Sequence, residues 1–404
     1  MRTVWILGAG ASKSHCSQQK NKDFPLINDF FKIAKDDLNI LTDKENKIKK
    51  EYKFLHKYII KRFRIDISDT PNLNIEKLLT MIEIEIEKSN LSKYQDLKDD
   101  ILNIIREVLN SKSKEIKVKK GEYKKLIEII NPEEDTIISF NWDLLLDNIF
   151  NRKEILPEKP SARNLNGKSE NIYYKSMYHL TSYKKGTFGG LTPPKPYRNY
   201  KAGGYYLKLH GSIDWIYCSN KTCSEYRRPY PVKNFMDDYF CGVCHEKMEN
   251  LIIPPVLKKN YNSFSFIRSL WNRAAKEIEN ANKLIIWGYS LPPTDIYSKW
   301  LLRQTQSNLQ KVIIINPDAV IRGEDSSDVK WNKKFVDKFV DIFWPLKKPN
   351  DTKIEFYFDF DDYIKNKKID KDRPPEKLED TYNYNLLNSG DEIDRQVKKE
   401  NLHK

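Results

Sequence analysis

Five short apolar runs punctuate the chain, over residues 2–7, 136–140, 205–209, 283–287 and 311–315, and a sixth follows over 353–358. Each is too short for a buried helix and almost continuous in Val, Ile, Leu, Trp, Tyr or Phe, which predicts strands covered on both faces. Between the first and second runs the pattern changes. Over 26–131 apolar positions recur at helical spacing, as in Ile75, Leu78, Leu79 and Ile82, and again in Leu102, Ile105, Val108 and Leu109. That stretch reads as a helical insertion, and further helices are expected over 144–150 and 266–281. Strands alternating with helices predict an α/β fold with a doubly wound, mostly parallel, Rossmann-like sheet. Residues 156–202 are rich in Pro, Gly, Tyr and Lys without a period, and read as a long loop beside a site.

Ligands of such sheets lie at the carboxyl ends of the strands. Those ends carry Gly8, Asn141, His210, Gly288 and Asn316. The turn Gly8-Ala9-Gly10-Ala11-Ser12 can bring backbone amides and the positive end of the next helix against a pyrophosphate; as a bare turn it needs no ligand. Asn141 can hold a ribose hydroxyl or a water, and Asp143 can accept from a carboxamide or cap the helix that follows. His210, after an apolar strand and before a glycine, suits a general base working near neutral pH, or a structural histidine. His15 is a further candidate for the same pocket.

Cys218, Cys223, Cys241 and Cys244 form two close pairs separated by seventeen residues, whereas Cys16 stands alone. Four thiolates on two knuckles can surround zinc and close its coordination sphere, so a structural zinc-ribbon module is expected over 216–250. His245 is an alternative ligand. The expected organisation is one domain over 1–363, with its insertion at 26–131, followed by a charged tail at 364–404.

Composition adjusts this picture in two ways. No stretch approaches the roughly 20 apolar residues that a membrane span requires, and the apolar run before the first glycine turn is only Val4-Trp5-Ile6-Leu7, so a cytoplasmic protein without membrane contact is expected. Lys and Arg number 71 against 57 acids, a formal net charge of +14. The lysines are scattered, which leaves direct nucleic-acid contact open without pointing to it.

Taken in order, these segments resemble the sirtuin family, and more closely the sirtuin-like branch of bacterial anti-phage defence systems. The matching segments are Gly8-Ala9-Gly10-Ala11-Ser12, Ser139-Phe140-Asn141-Trp142-Asp143, His210-Gly211, the four cysteines after that histidine, Gly288-Tyr289-Ser290-Leu291 and Ile315-Asn316. The resemblance implies an NAD site. Gly8, Ala9, Gly10, Ser12, Gly288 and Ser290 would lie near the phosphates, Asn316 near the adenosine ribose, and Asp143 toward the carboxamide. Asn141 and His210 would be the catalytic pair at the nicotinamide ribose, NAD+ the substrate and Zn2+ a structural ion.

Departures from the deacylase pattern bear on the acceptor. Asp23-Phe24-Pro25-Leu26 lacks the following arginine, Phe140 stands where sirtuins carry glutamine, and Pro254-Pro255 offers no amide donors for pairing with a peptide strand. The resemblance then implies an NAD+ hydrolase that acts in defence by depleting NAD+. NAD-dependent protein deacylation and a nucleic-acid-binding or nuclease component are the alternatives. An activity of that kind has to be silent until triggered, which implies a homo-oligomer and a partner sensor or hexameric DNA-translocating ATPase.

Overall fold

The computed structural model describes residues 1–19, 24–45, 47–67, 73–89, 91–116, 120–131, 134–150, 204–232, 236, 238–253, 264–293, 295–305, 308–322, 329–343 and 353–365. The loop expected over 156–202, Pro254-Pro255 and the tail beyond residue 365 lie outside them. The elements in chain order are β1 (Thr3–Leu7), α1 (Ala9–Ser17), α2 (Phe30–Lys32), α3 (Lys53–Phe63), α4 (Ile75–Ser89), α5 (Ser92–Lys114), α6 (Glu122–Ile129), β2 (Thr136–Ser139) and α7 (Leu145–Phe150). Then come β3 (Tyr206–Lys208), β4 (Gly211–Tyr217), β5 (Pro229–Pro231), β6 (Glu249–Ile252), α8 (Ser265–Glu279), β7 (Lys283–Trp287) and α9 (Ile296–Leu302). The chain closes with β8 (Lys311–Ile315), β9 (Val320–Arg322), β10 (Val329–Trp331), α10 (Lys333–Phe343), β11 (Lys353–Tyr357) and α11 (Phe360–Ile364).

Six strands form one sheet in the order β11-β8-β7-β1-β2-β3, and every pairing in it is parallel. Counted along the chain, the core strands run 6-5-4-1-2-3, the order of a doubly wound dinucleotide-binding fold, with its switch point between β1 and β7. The cause is visible in β1. Trp5 and Leu7 pack into one buried cluster with the helices of residues 30–129. Val4 and Ile6 pack into the other, with α8, α9 and α10. A strand that must be apolar on both faces has no polar positions, hence the unbroken runs in the sequence.

A second, antiparallel sheet, β5-β4-β6, follows β3 directly and carries the cysteines. It begins at Gly211, earlier than the ribbon expected from residue 216. The hairpin β9-β10 and the helix α10 were not anticipated. Among the described residues no helix is long and apolar enough to cross a membrane.

Candidate active site

The hydrogen-bond ladder of the main sheet runs one residue past the strands. Leu209 N donates to Ser139 O, Phe140 N to Leu7 O, Gly8 N to Trp287 O, Gly288 N to Ile315 O and Asn316 N to Tyr357 O, all at 2.9–3.0 Å. The five signals at the strand ends are therefore set side by side. A cavity of about 680 Å³ runs over them, lined by Gly8, Asn141, His210, Gly288 and Asn316 together with Ala9, Gly10, Asp143 and Ser290. From β3 to β11 is five inter-strand steps, about 24 Å at roughly 4.8 Å each. A volume of this order suits a ligand site of about 300–1,000 Å³.

The middle of the cavity is backbone. Gly288 has φ +64°, and a Cβ there would fall 2.0 Å from Ala11 N; a Cβ on Gly8 would fall 2.6 Å from Gly288 O. Only glycine permits the β1 and β7 turns to touch. Gly10 N donates to Gly288 O at 2.8 Å, so that amide belongs to the turn–turn contact. The opening of α1 lies here, with Gly8 as N-cap.

At the β2 and β3 end the side chains are fixed by one another. Asn141 Nδ2 donates to Gly8 O at 2.9 Å and to Ser12 Oγ at 3.0 Å. With both amide hydrogens engaged, Oδ1 is the atom left to meet a ligand. Asp143 accepts from Ser12 Oγ at 2.7 Å and from Leu145 N at 2.9 Å, so it caps α7 while lining the cavity. Burial pushes its carboxyl up, opposed by the Lys208 charge. Lys208 is itself buried, donating to Asp143 O at 2.7 Å, Asp147 Oδ2 at 3.1 Å and Ser212 Oγ at 2.7 Å.

Two expectations are corrected. Ser12 does not line the cavity: it faces β2 and α6, and its hydroxyl joins Asp143, Asn141 and Tyr123 Oη. His15 also turns away, stacked on Tyr123 with centroids 4.7 Å apart and accepting from Tyr123 N through Nδ1. Its burial pushes its pKa down to about 4.

Several lining groups were missed. Asp295, wholly buried, places Oδ2 3.9 Å from His210 Nε2, and Tyr289 Oη donates to that oxygen at 2.8 Å. Phe140 packs on His210 at 5.0 Å between centroids. Phe24, Pro25, Leu26 and Ile27 line the cavity, and the insertion contributes Asn74, Ile75, Glu76 and Leu109. Among the described residues, its lining acids are Glu76, Glu122, Asp143, Asp295, Asp318 and Asp359, and Lys13 is the one lining lysine.

Away from this cavity, the sulfurs of Cys218, Cys223, Cys241 and Cys244 all lie within 4.8 Å of one another. Cys218 and Cys244 are 3.5 Å apart, and Cys223 and Cys241 3.7 Å. Tetrahedral zinc with bonds near 2.3 Å needs sulfurs about 3.8 Å apart, so the donor set fits that ion. His245 is not in the cluster; its φ of +60° serves the knuckle turn.

No family model and no curated protein matches the chain. Among solved structures, a Sir2 homologue in complex with NAD is similar at 12% identity over 80% of each chain, with a TM-score of 0.29. A sirtuin structure concerned with substrate affinity is similar at 13% identity over 90% of this chain and 92% of its own, with a TM-score of 0.32. A mutant Sir2 homologue with 2'-O-acetyl ADP ribose is similar at 12% identity over 78% and 80%, with a TM-score of 0.30. Similarity at this level assigns no activity, and the class of the protein, a doubly wound Rossmann-like α/β fold, rests on its strand order.

Proposed function

We propose that the protein is an NAD+ hydrolase that cleaves the nicotinamide–ribose bond to release nicotinamide and ADP-ribose. One observation carries this reading: the residues at the six parallel strand ends line one cavity, with a buried Asn and His at one end and a glycine turn at the switch point. The nicotinamide ribose would lie by Asn141 and His210, the pyrophosphate on the Gly8–Gly288 turns, and the adenosine by Asn316 toward Asp359. Bond cleavage leaves positive charge on the sugar. Asn141 Oδ1 and the nearby carboxylates oppose that charge, and His210 takes the proton from the attacking water, so that NAD+ and water give nicotinamide, ADP-ribose and a proton.

Phe140 favours water over a larger acceptor only in that it fills the space beside His210. The zinc-fitting cysteines hold the antiparallel sheet whose first strand begins one residue after His210, a structural role. The physiological role that accords with this reaction is anti-phage defence by NAD+ depletion, with activity released in a homo-oligomer or by a partner sensor or DNA-translocating ATPase.

The test is incubation of the full chain with NAD+, alone and with the product of its neighbouring gene, with chromatography of the nucleotides. Release of nicotinamide and ADP-ribose without added peptide supports hydrolysis. Turnover that strictly requires an acyl-lysine peptide replaces it with deacylation, and DNA cleavage without NAD+ turnover replaces it with the nuclease reading.

A further inference from the structure

His210 sits in a buried setting with aromatic rings against it. It is 3% exposed, and the rings of Phe140 and Trp271 lie 5.0 and 6.1 Å from its own. Burial of this kind penalises the imidazolium that a base must become. The groups packed against it are unequal in charge. Among the described residues, Phe140 after β2 and Trp271 of α8 lie against its ring, Asp295 before α9 is the acid that approaches it, Tyr289 after β7 packs on Phe140, and Asp143 and Glu76 of α4 stand on the same cavity wall.

Asp295 is held in an unusual way for a helix cap. Capping needs one acceptor, and Oδ1 supplies it, taking Ser298 N at 3.2 Å. A serine or asparagine would do this without burying a charge. The second oxygen, Oδ2, accepts from Tyr289 Oη at 2.8 Å and from Ser298 Oγ, and it is this oxygen that stands 3.9 Å from His210 Nε2. That separation is too long for a hydrogen bond and short enough for strong charge interaction between buried groups. Burial and the Asp295 charge hold the Tyr289 phenol well above its ordinary range, so it remains a donor to the carboxylate.

We propose that Asp295 is a positioning residue for His210, its buried charge orienting the Nε2 edge and stabilising the imidazolium formed when His210 takes a proton. This rests on the reading of His210 as the base of the proposed hydrolysis. The proton moves from water to His210 and then to solvent; Asp295 stays ionised throughout.

The test uses the full chain with ¹³C-labelled histidine, the His210 signal being assigned with His210→Gln. Its titration is followed by NMR without nucleotide, in wild type, Asp295→Asn and Tyr289→Phe. Removing the charge is expected to lower the His210 midpoint by about 1–3 pH units. Tyr289→Phe leaves the charge less shared and is expected to raise it, which keeps a readout if Asp295→Asn does not fold. The acid limb of kcat/KM for NAD+ cleavage is expected to move down with the midpoint in Asp295→Asn. An unchanged His210 midpoint in the folded variants overturns the proposal, as does a kcat/KM profile reduced in height with its limbs unmoved. A shifted midpoint in a protein that turns over no NAD+ in any assembly would instead remove the hydrolase reading and leave the pair standing.

Discussion

Asn141 Nδ2 donates to the Gly8 carbonyl at 2.9 Å, which locks the segment just past β2 to the turn ending β1. The side chain proposed to face the ribose is thereby fixed by the loop proposed to face the phosphates. Asn141→Ala is expected to lower NAD+ turnover by about 10²–10³-fold, as for loss of a preorganised polar group in a closed site. Unfolding curves should show a cost of about 1–3 kcal/mol, from the hydrogen bonds lost to Gly8 and Ser12. Turnover within threefold of wild type would remove Asn141 from the chemistry.

Gly288→Ala tests the contact between the two turns. The new Cβ meets Ala11 N at 2.0 Å in a backbone with φ +64°, so both clash and strain apply. A loss of about 3 kcal/mol or more is expected in denaturant unfolding, with at least tenfold weaker ADP-ribose binding by calorimetry. Wild-type affinity in this variant would mean that the ligand lies elsewhere.

The four-cysteine cluster is expected to hold one zinc per chain, measured by elemental analysis of the purified protein. Cys223→Ser with Cys241→Ser should abolish the metal and lower the thermal midpoint by roughly 3–6 °C, the equivalent of about 2–4 kcal/mol in a domain of this size. Turnover should fall with it, because β4 begins at Gly211, next to His210. Metal-free protein with an unchanged midpoint would show that the thiols merely pack.

Two buried groups give stability opposite pH slopes. His15 has its pKa pushed down to about 4 by burial, so its contribution is complete above about 6.5 and is lost as pH falls toward 4. Glu122 has its carboxyl pushed up to about 7, chiefly by burial, so its contribution is complete below about 4.5 and is lost as pH rises toward 7. Glu122→Gln should therefore gain stability over wild type progressively between pH 4.5 and 7, by about 3 kcal/mol at most. Urea midpoints across that range give the difference, and a pH-independent difference would contradict the assignment.

The core strands were legible because parallel strands covered on both faces leave no polar positions, as in Val4-Trp5-Ile6-Leu7 and Val312-Ile313-Ile314-Ile315. Their ends were legible because glycine, asparagine and histidine interrupt those runs. Side-chain direction was not. Ser12 belongs to the glycine-rich segment, yet one turn into α1 it points toward Asp143 and away from the cavity. Asp295 follows Pro292-Pro293-Thr294 and carries only a capping signal locally; its approach to His210, 85 positions earlier, exists only once the sheet has set β1 and β2 between β3 and β7 and α9 has folded back. The helix α10 did carry a pattern, with Phe335, Val336, Phe339, Ile342 and Phe343 buried at helical spacing.

The most direct measurement is the yield of nicotinamide and ADP-ribose from NAD+ in water, without peptide or DNA, by wild type, Asn141→Ala and His210→Ala in the same assembly. Equimolar release by the wild type, reduced at least a hundredfold in both variants, is the expected result. No release in any assembly, or release that both variants retain, would contradict it.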